Sequence, residues 1–346
     1  MQFKKEPFGK TAEGKQVYLY TITNNHQMTV TLCNIGCAVV SILVPDKDGI
    51  IQDVALGFDT ADEYVHSPTC FGVVVGRYGN RIHRGEFQWN GNTISLEKND
   101  GSNHLHGGSN GYAYRYWDCV EEKEDGVVFR LFSPDGDSGY PGDLTATVSY
   151  TLTEENELVL DYHTETTNET ICNLTNHSYF NLNGAGSDTI CNHIMKINAD
   201  AITEVDSEFI PTGTLLPVAG TPLDFTSEKE VGKDIDDPYP QIQMAGGFDH
   251  NYVLNQNEEP AAVVYSPVTG IQWSVTTTSP GVQFYSGNFL NGTAKGKNGY
   301  YHPRRSGLCL ETQLYPDSIN QPAFPSCVVT KDSPQNFKTV WKFSIR

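Results

Sequence analysis

The chain has 346 residues and a formal charge of −19, from 42 acidic against 23 basic side chains. So negative a surface is repelled by phosphate backbones and anionic lipid, which excludes nucleic acid and membrane as expected partners but leaves a neutral ligand open. Hydrophobic residues make up 38% and aromatics 11%, enough to bury a sizeable core and too many for a disordered chain.

The eight cysteines, at 33, 37, 70, 119, 172, 191, 309 and 327, form no Cys-x-x-Cys pair, and several stand in apolar runs such as Leu308-Cys309-Leu310. Buried free thiols are the expected state. Residues 1–14 lack the apolar segment of a signal peptide. No run of about 18 apolar residues occurs, so no membrane span is expected. Together these features suggest a reducing, cytoplasmic setting.

In chain order, the dominant period is two. Val17-Tyr18-Leu19-Tyr20-Thr21-Ile22-Thr23 has the β-branched and aromatic content of a strand. A short helix is predicted near Thr60–Val65, and helical patterning is hardly found elsewhere. Phe87 to Ile94 reads as a hairpin, since Asn90-Gly91 supplies the positive φ angles of a type I′ turn. Leu144, Ala146, Val148, Tyr150 and Leu152 alternate with hydroxyl residues, the pattern of a half-buried strand. Trp341, Phe343 and Ile345 alternate in the same way at the end. With 32 Gly and 18 Pro as punctuation, and no linker or charge block, residues 1–346 are expected to form a single all-β domain, a large antiparallel β-sandwich.

Five stretches concentrate polar groups among glycines and aromatics: 76–82, 103–108, 173–182, 246–252 and 307–313. Arg77 and Arg81 in the first could be solvated charges, or forks for sugar oxygens. His104 and His106 form a His-x-His pair that would point to one face of a strand. A metal could use such a pair, but no further Cys or His group has matching spacing, so a hydrogen-bonding role for His106 is the better reading. His177 is a structural histidine or a proton shuttle. Glu311 lies among Leu308, Cys309, Leu310 and Leu314. It either faces solvent or is a buried carboxylate with raised pKa, which makes a stronger base. Asp249 follows Gly-Gly-Phe in a similar setting. Tyr179, Phe180, Phe248, Tyr285 and Phe289 could stack on a sugar ring or fill the core.

Taken together, the stretches GRYGNRI, NHLHGG, SPDGDSGYPGDL, NLTNHSYFNL, GGFDHNYVL, PGVQFYSGNFL and GLCLETQLYPDSINQPAFPS resemble the aldose 1-epimerases, or galactose mutarotases, in the family's order and over nearly the whole chain. Gly79 and Ser138 depart from the more common residues, at positions without assigned chemistry. The resemblance implies a β-sandwich of the galactose-mutarotase type with a shallow sugar cleft. It implies an isomerase of hexose metabolism, acting on free aldoses such as galactose and glucose. By the same resemblance Glu311 is the general base and His177 the general acid. His106, Arg81 and Asp249 hold the sugar, Asn80 and Gln283 line the cleft, and neither metal nor organic cofactor is needed. A monomer or weak homodimer is expected. Rival readings of the same residues are a glycoside hydrolase using Glu311 and Asp249, and a non-catalytic sugar-binding module.

Overall fold

The computed structural model describes residues 1–293 and 295–346. Three antiparallel sheets carry most of the fold. The first runs in chain order through Gln2–Lys10, Gln16–Thr23, Thr29–Cys33, Ala38–Pro45 and Ile51–Asp53. The largest has nine strands, in the order Asp118–Glu122, Gly126–Ser133, Leu144–Leu152, Glu157–Glu165, Gln335–Ile345, Ile271–Thr277, Ala262–Tyr265, Ile194–Ile197 and Lys229–Glu230. The third runs Pro211–Pro217, Ala199–Val205, Asp249–Leu254, Gly281–Tyr285 and Cys309–Gln313.

The sandwich follows from alternation. Strand Leu144–Leu152 buries every second residue, as its sequence pattern predicts. Those residues share one apolar cluster with Tyr20, Val30 and Leu32 of the first sheet and Ile202, Tyr252 and Phe284 of the third. The nine-stranded sheet is thus one layer, and the two five-stranded sheets form the other. The C-terminal strand Gln335–Ile345 pairs with Glu157–Glu165 on one side and Ile271–Thr277 on the other. It joins the early and late halves of the chain into one sheet.

The Asn90-Gly91 hairpin forms as expected, with φ of 48° and 80° at its two turn residues. The expected helix spans Ala61–His66, and its Thr60–Glu63 capping box explains its start. A second helix, Pro240–Ala245, was not expected. Six residues are too few to show a period, and its only signals are Pro240 at the first turn and Gly246 at φ 63° just past the end. All eight cysteines are unpaired, and six are buried.

Arg77 is neither a solvated charge nor a sugar fork. Its guanidinium is buried, with 1% of the residue exposed. Nη1 donates to Pro141 O, Gly142 O and Thr170 Oγ1, and Nη2 to Ser133 O, Ser133 Oγ and Pro134 O. It therefore ties the 133–142 loop to the start of the 76–82 stretch. Arg77→Met leaves these acceptors unpaired in a dry site. It should destabilise the fold by about 3–5 kcal/mol in urea unfolding, and a loss below about 1 kcal/mol would refute this role.

Candidate active site

One face of the third sheet points away from the core and carries polar groups in two rows. Register pairs Glu311 with Gln283 and Gln283 with Asn251. Two residues along, it pairs Cys309 with Tyr285 and Tyr285 with Asp249. Paired residues and their i±2 neighbours share a face. The opposite face meets the nine-stranded sheet, where Thr312 Oγ1 lies 2.7 Å from Thr339 Oγ1. Loops roof the polar face, so Glu311 is only 2% exposed.

His177 reaches this face through a second pairing. Phe180 and Leu308 bond antiparallel, N to O in both directions, at 2.7 and 2.9 Å. Three residues back from Phe180 is His177, and three on from Leu308 is Glu311. The register thus sets them opposite one another. His177 Nε2 lies 3.6 Å from Glu311 Oε1. Its ring stacks on Tyr179 at 5.0 Å, and its Nδ1 lies 3.5 Å from Cys309 Sγ.

The remaining expected residues converge from other elements. Leu105 pairs with Arg81, which brings the two loops at 80 and 106 together. Asn80 N–H donates to His106 Nδ1 at 3.1 Å, and His106 N–H to Asn80 O at 3.0 Å. Both residues have left-handed φ, 60° and 54°. Arg81 Nε donates to Asp100 Oδ2 at 2.7 Å. Asn80, Arg81, His106, His177, Asp249 and Glu311 all line one cleft of about 330 Å³, at the small end of ligand sites. Gln283 is not at the cleft wall. It stands behind Asp249 and donates Nε2 to Asp249 Oδ1 at 2.7 Å. Of the aromatics, Tyr179, Tyr285 and Phe289 line the cleft, whereas Phe180 and Phe248 are core.

His104 and His106 do not share a face. The strand ends at Leu105, and the left-handed turn at His106 sends its ring into the cleft. His104 is buried elsewhere, bonded to Glu97 O and Tyr140 Oη. His106, His177 and Glu311 do bring three ligand-type atoms within 4.8 Å of one another. The hydrogen bonding does not suit a cation, however. Because His106 Nδ1 accepts the Asn80 N–H, a neutral His106 carries its proton on Nε2. A ligating histidine needs the reverse, with its second nitrogen donating. His106 is set to donate to an oxygen.

Desolvation dominates the electrostatics. Burial raises the Glu311 carboxyl well above its usual range, Asp249 adds to the rise, and Arg81 opposes it. Burial lowers His177 to about 4. Asp249 is also raised by burial, against Arg81 and the Gln283 hydrogen bond. Glu311 is thus a strong base when ionised, and His177 a strong acid when protonated. Burial favours the uncharged pair, while the 3.6 Å approach favours the ion pair of the same proton count.

The aldose 1-epimerase family profile matches residues 18–342. The chain belongs to the aldose 1-epimerase family. It is an isomerase of the class that interconverts the α and β anomers of aldoses. It is 42% identical to galactose mutarotase of Mus musculus over 98% of this chain and 97% of that one. It is 38% identical to aldose 1-epimerase of Escherichia coli K12, over 90% of each chain. Among solved structures, a GalM/aldose epimerase homologue from C. elegans superposes with a TM-score of 0.89 at 32% identity, covering 94% of this chain and 98% of the other. Galactose 1-epimerase from Lactobacillus acidophilus gives 0.88 at 27% identity, covering 100% and 99%. The aldose 1-epimerase fold is therefore shared across the whole sandwich.

A carboxyl raised by burial destabilises the fold once pH exceeds the unfolded value, because the unfolded chain ionises more readily. Glu311→Gln removes that cost. Its melting temperature should equal or exceed that of the native chain at pH 7, and the difference should shrink toward pH 4.5, near the ordinary Glu pKa. A variant less stable at pH 7 would argue against the burial penalty.

Proposed function

We propose that Glu311 and His177 open and reclose the ring of a free aldose, with galactose and glucose as substrates. The observation that carries this reading is the 3.6 Å approach of His177 Nε2 to Glu311 Oε1 across the cleft. Glu311 takes the proton of the C1 hydroxyl while His177 gives one to the ring oxygen. The C1–O5 bond breaks and an open aldehyde results. Rotation about C1–C2 presents the other carbonyl face, and closure returns both protons. Each positioned proton transfer is worth roughly 10²–10⁴ in rate. Ring opening turns the Glu⁻/His⁺ pair into the uncharged pair, which burial favours. Desolvation thus drives both transfers in the same direction, at the cost of a smaller reactive population.

Arg81, Asp249 and His106 hold the other hydroxyls, so that only C1 is free to turn. Asn80 and Gln283 act through their neighbours: Asn80 sets the His106 tautomer and Gln283 braces Asp249. The chain works as one domain, a reading supported by an apolar cluster that draws on all three sheets. No described helix is long and apolar enough to cross a membrane. A cytoplasmic setting is supported by the eight unpaired cysteines, and a monomer or weak homodimer is expected.

Polarimetry on freshly dissolved α-galactose and α-glucose tests the pair. Glu311→Gln should lower kcat by about 10²–10⁴, and near-normal turnover would end the mechanism. His177→Asn should lower kcat by a similar factor and move KM less; a pure rise in KM would make His177 a sugar-holding residue. The pair works with one shared proton. Activity should therefore show no acid limb above about pH 5 and fall only near the His177 value of about 4. An acid limb at about 6.5, the unperturbed histidine value, would contradict the depressed pKa.

A further inference from the structure

Arg81 is held from two sides by residues that do not line the cleft. Its side chain is 10% exposed. On one side, Asp100 Oδ2 accepts Nε at 2.7 Å. Asp100 is fixed by a tight turn, in which its N–H and O bond Asn103 O and N–H at 3.1 and 2.9 Å. On the other side, the Phe209 ring lies 4.9 Å from the guanidinium carbon. Phe209 belongs to the turn between strands Ala199–Val205 and Pro211–Pro217, with its N–H on Asp206 O at 3.0 Å. Ser102 Oγ donates to Glu208 Oε1 at 2.9 Å, which ties the two turns together.

Phe209 has φ of 61°. A bulky residue rarely adopts this left-handed conformation, because its Cβ crowds the backbone. Glycine would do so freely, so space and backbone geometry alone do not call for phenylalanine. What the ring contributes is a face for the guanidinium, the arrangement in which a cation and an aromatic attract. The Asp100 bond meanwhile takes Nε. It leaves the two Nη groups, the forked edge that suits paired sugar oxygens, for the cleft that Arg81 lines.

We propose that Asp100 and Phe209 are positioning residues that clamp Arg81 with its Nη edge presented to the sugar. The proposal rests on the reading of Arg81 as a sugar-holding residue. The clamp fixes the guanidinium plane with Phe209 and its rotation with Asp100, so sugar binding does not have to order a free arginine side chain. Its loss weakens sugar binding more than it slows proton transfer between Glu311, the sugar and His177.

The test measures kcat and KM by polarimetry on α-galactose and α-glucose, together with melting temperature, for the full chain. Arg81→Lys should raise KM by about tenfold or more, since an ammonium lacks the fork. Asp100→Asn should raise KM by about fivefold to tenfold with kcat changed by less than about threefold, and Asp100→Glu should recover part of the loss. Phe209→Gly should raise KM by about threefold to fivefold while the melting temperature stays level or rises, because the turn prefers glycine. Arg81→Lys combined with Asp100→Asn should be little worse than Arg81→Lys alone. A raised KM in Arg81→Lys beside normal KM in Asp100→Asn and Phe209→Gly would overturn the clamp alone. An unchanged KM in Arg81→Lys would overturn the reading of Arg81, and the clamp with it. A Phe209→Gly variant with lower melting temperature and normal KM would make Phe209 structural.

Discussion

The antiparallel bond pair between Phe180 and Leu308 is the constraint on which the site depends. Two backbone bonds of 2.7 and 2.9 Å set the register, and the register sets His177 against Glu311. A slip of one residue would turn one partner to the other face. Phe180 makes such a slip costly. Its ring lies 4.1 Å from Trp273 and 5.1 Å from Trp341, inside the core of the nine-stranded sheet. His177 and Glu311 are therefore positioned by an aromatic anchor three residues away, and apolar burial supplies the energy that holds the polar pair in place.

The same burial tunes the chemistry. Water excluded from the Glu311 and His177 side chains raises one and depresses the other. A solvated pair would be a weaker base and a weaker acid. The polar surroundings keep the cost within bounds. Arg81 counters the negative charge of Asp249 and Glu311, and Gln283 donates to Asp249. Asn80 turns His106 into a donor toward the cleft, which suits an oxygen better than a cation.

Much of the fold was legible along the chain. Period-two alternation at Leu144–Leu152 and the Asn90-Gly91 turn were read correctly, because strand burial and turn geometry are local. The helix Pro240–Ala245 was not, since one and a half turns leave no period. Arg77 and Arg81 looked alike in sequence, four residues apart and both beside Gly, Tyr or Asn. The fold separates them: one anchors a loop in the interior and the other lines the cleft. Asp100 and Phe209 carried no signal. An aspartate in Asn-Asp-Gly reads as a turn residue, and nothing local marks a phenylalanine for a left-handed φ.

The sequence by itself determined the all-β class, the seven ordered stretches that resemble the aldose 1-epimerases, and the residues Glu311, His177, Asn80, Arg81, His106 and Asp249 that meet in one cleft. Those properties depend on residue type and near neighbours. The tertiary structure decided which atoms face each other. It set Gln283 behind Asp249, parted His104 from His106, sent Arg77 into the interior, and built a support for Arg81 from turns more than one hundred residues apart. Such contacts follow from sheet register and long-range packing, and these depend on the whole chain at once rather than on any stretch of it.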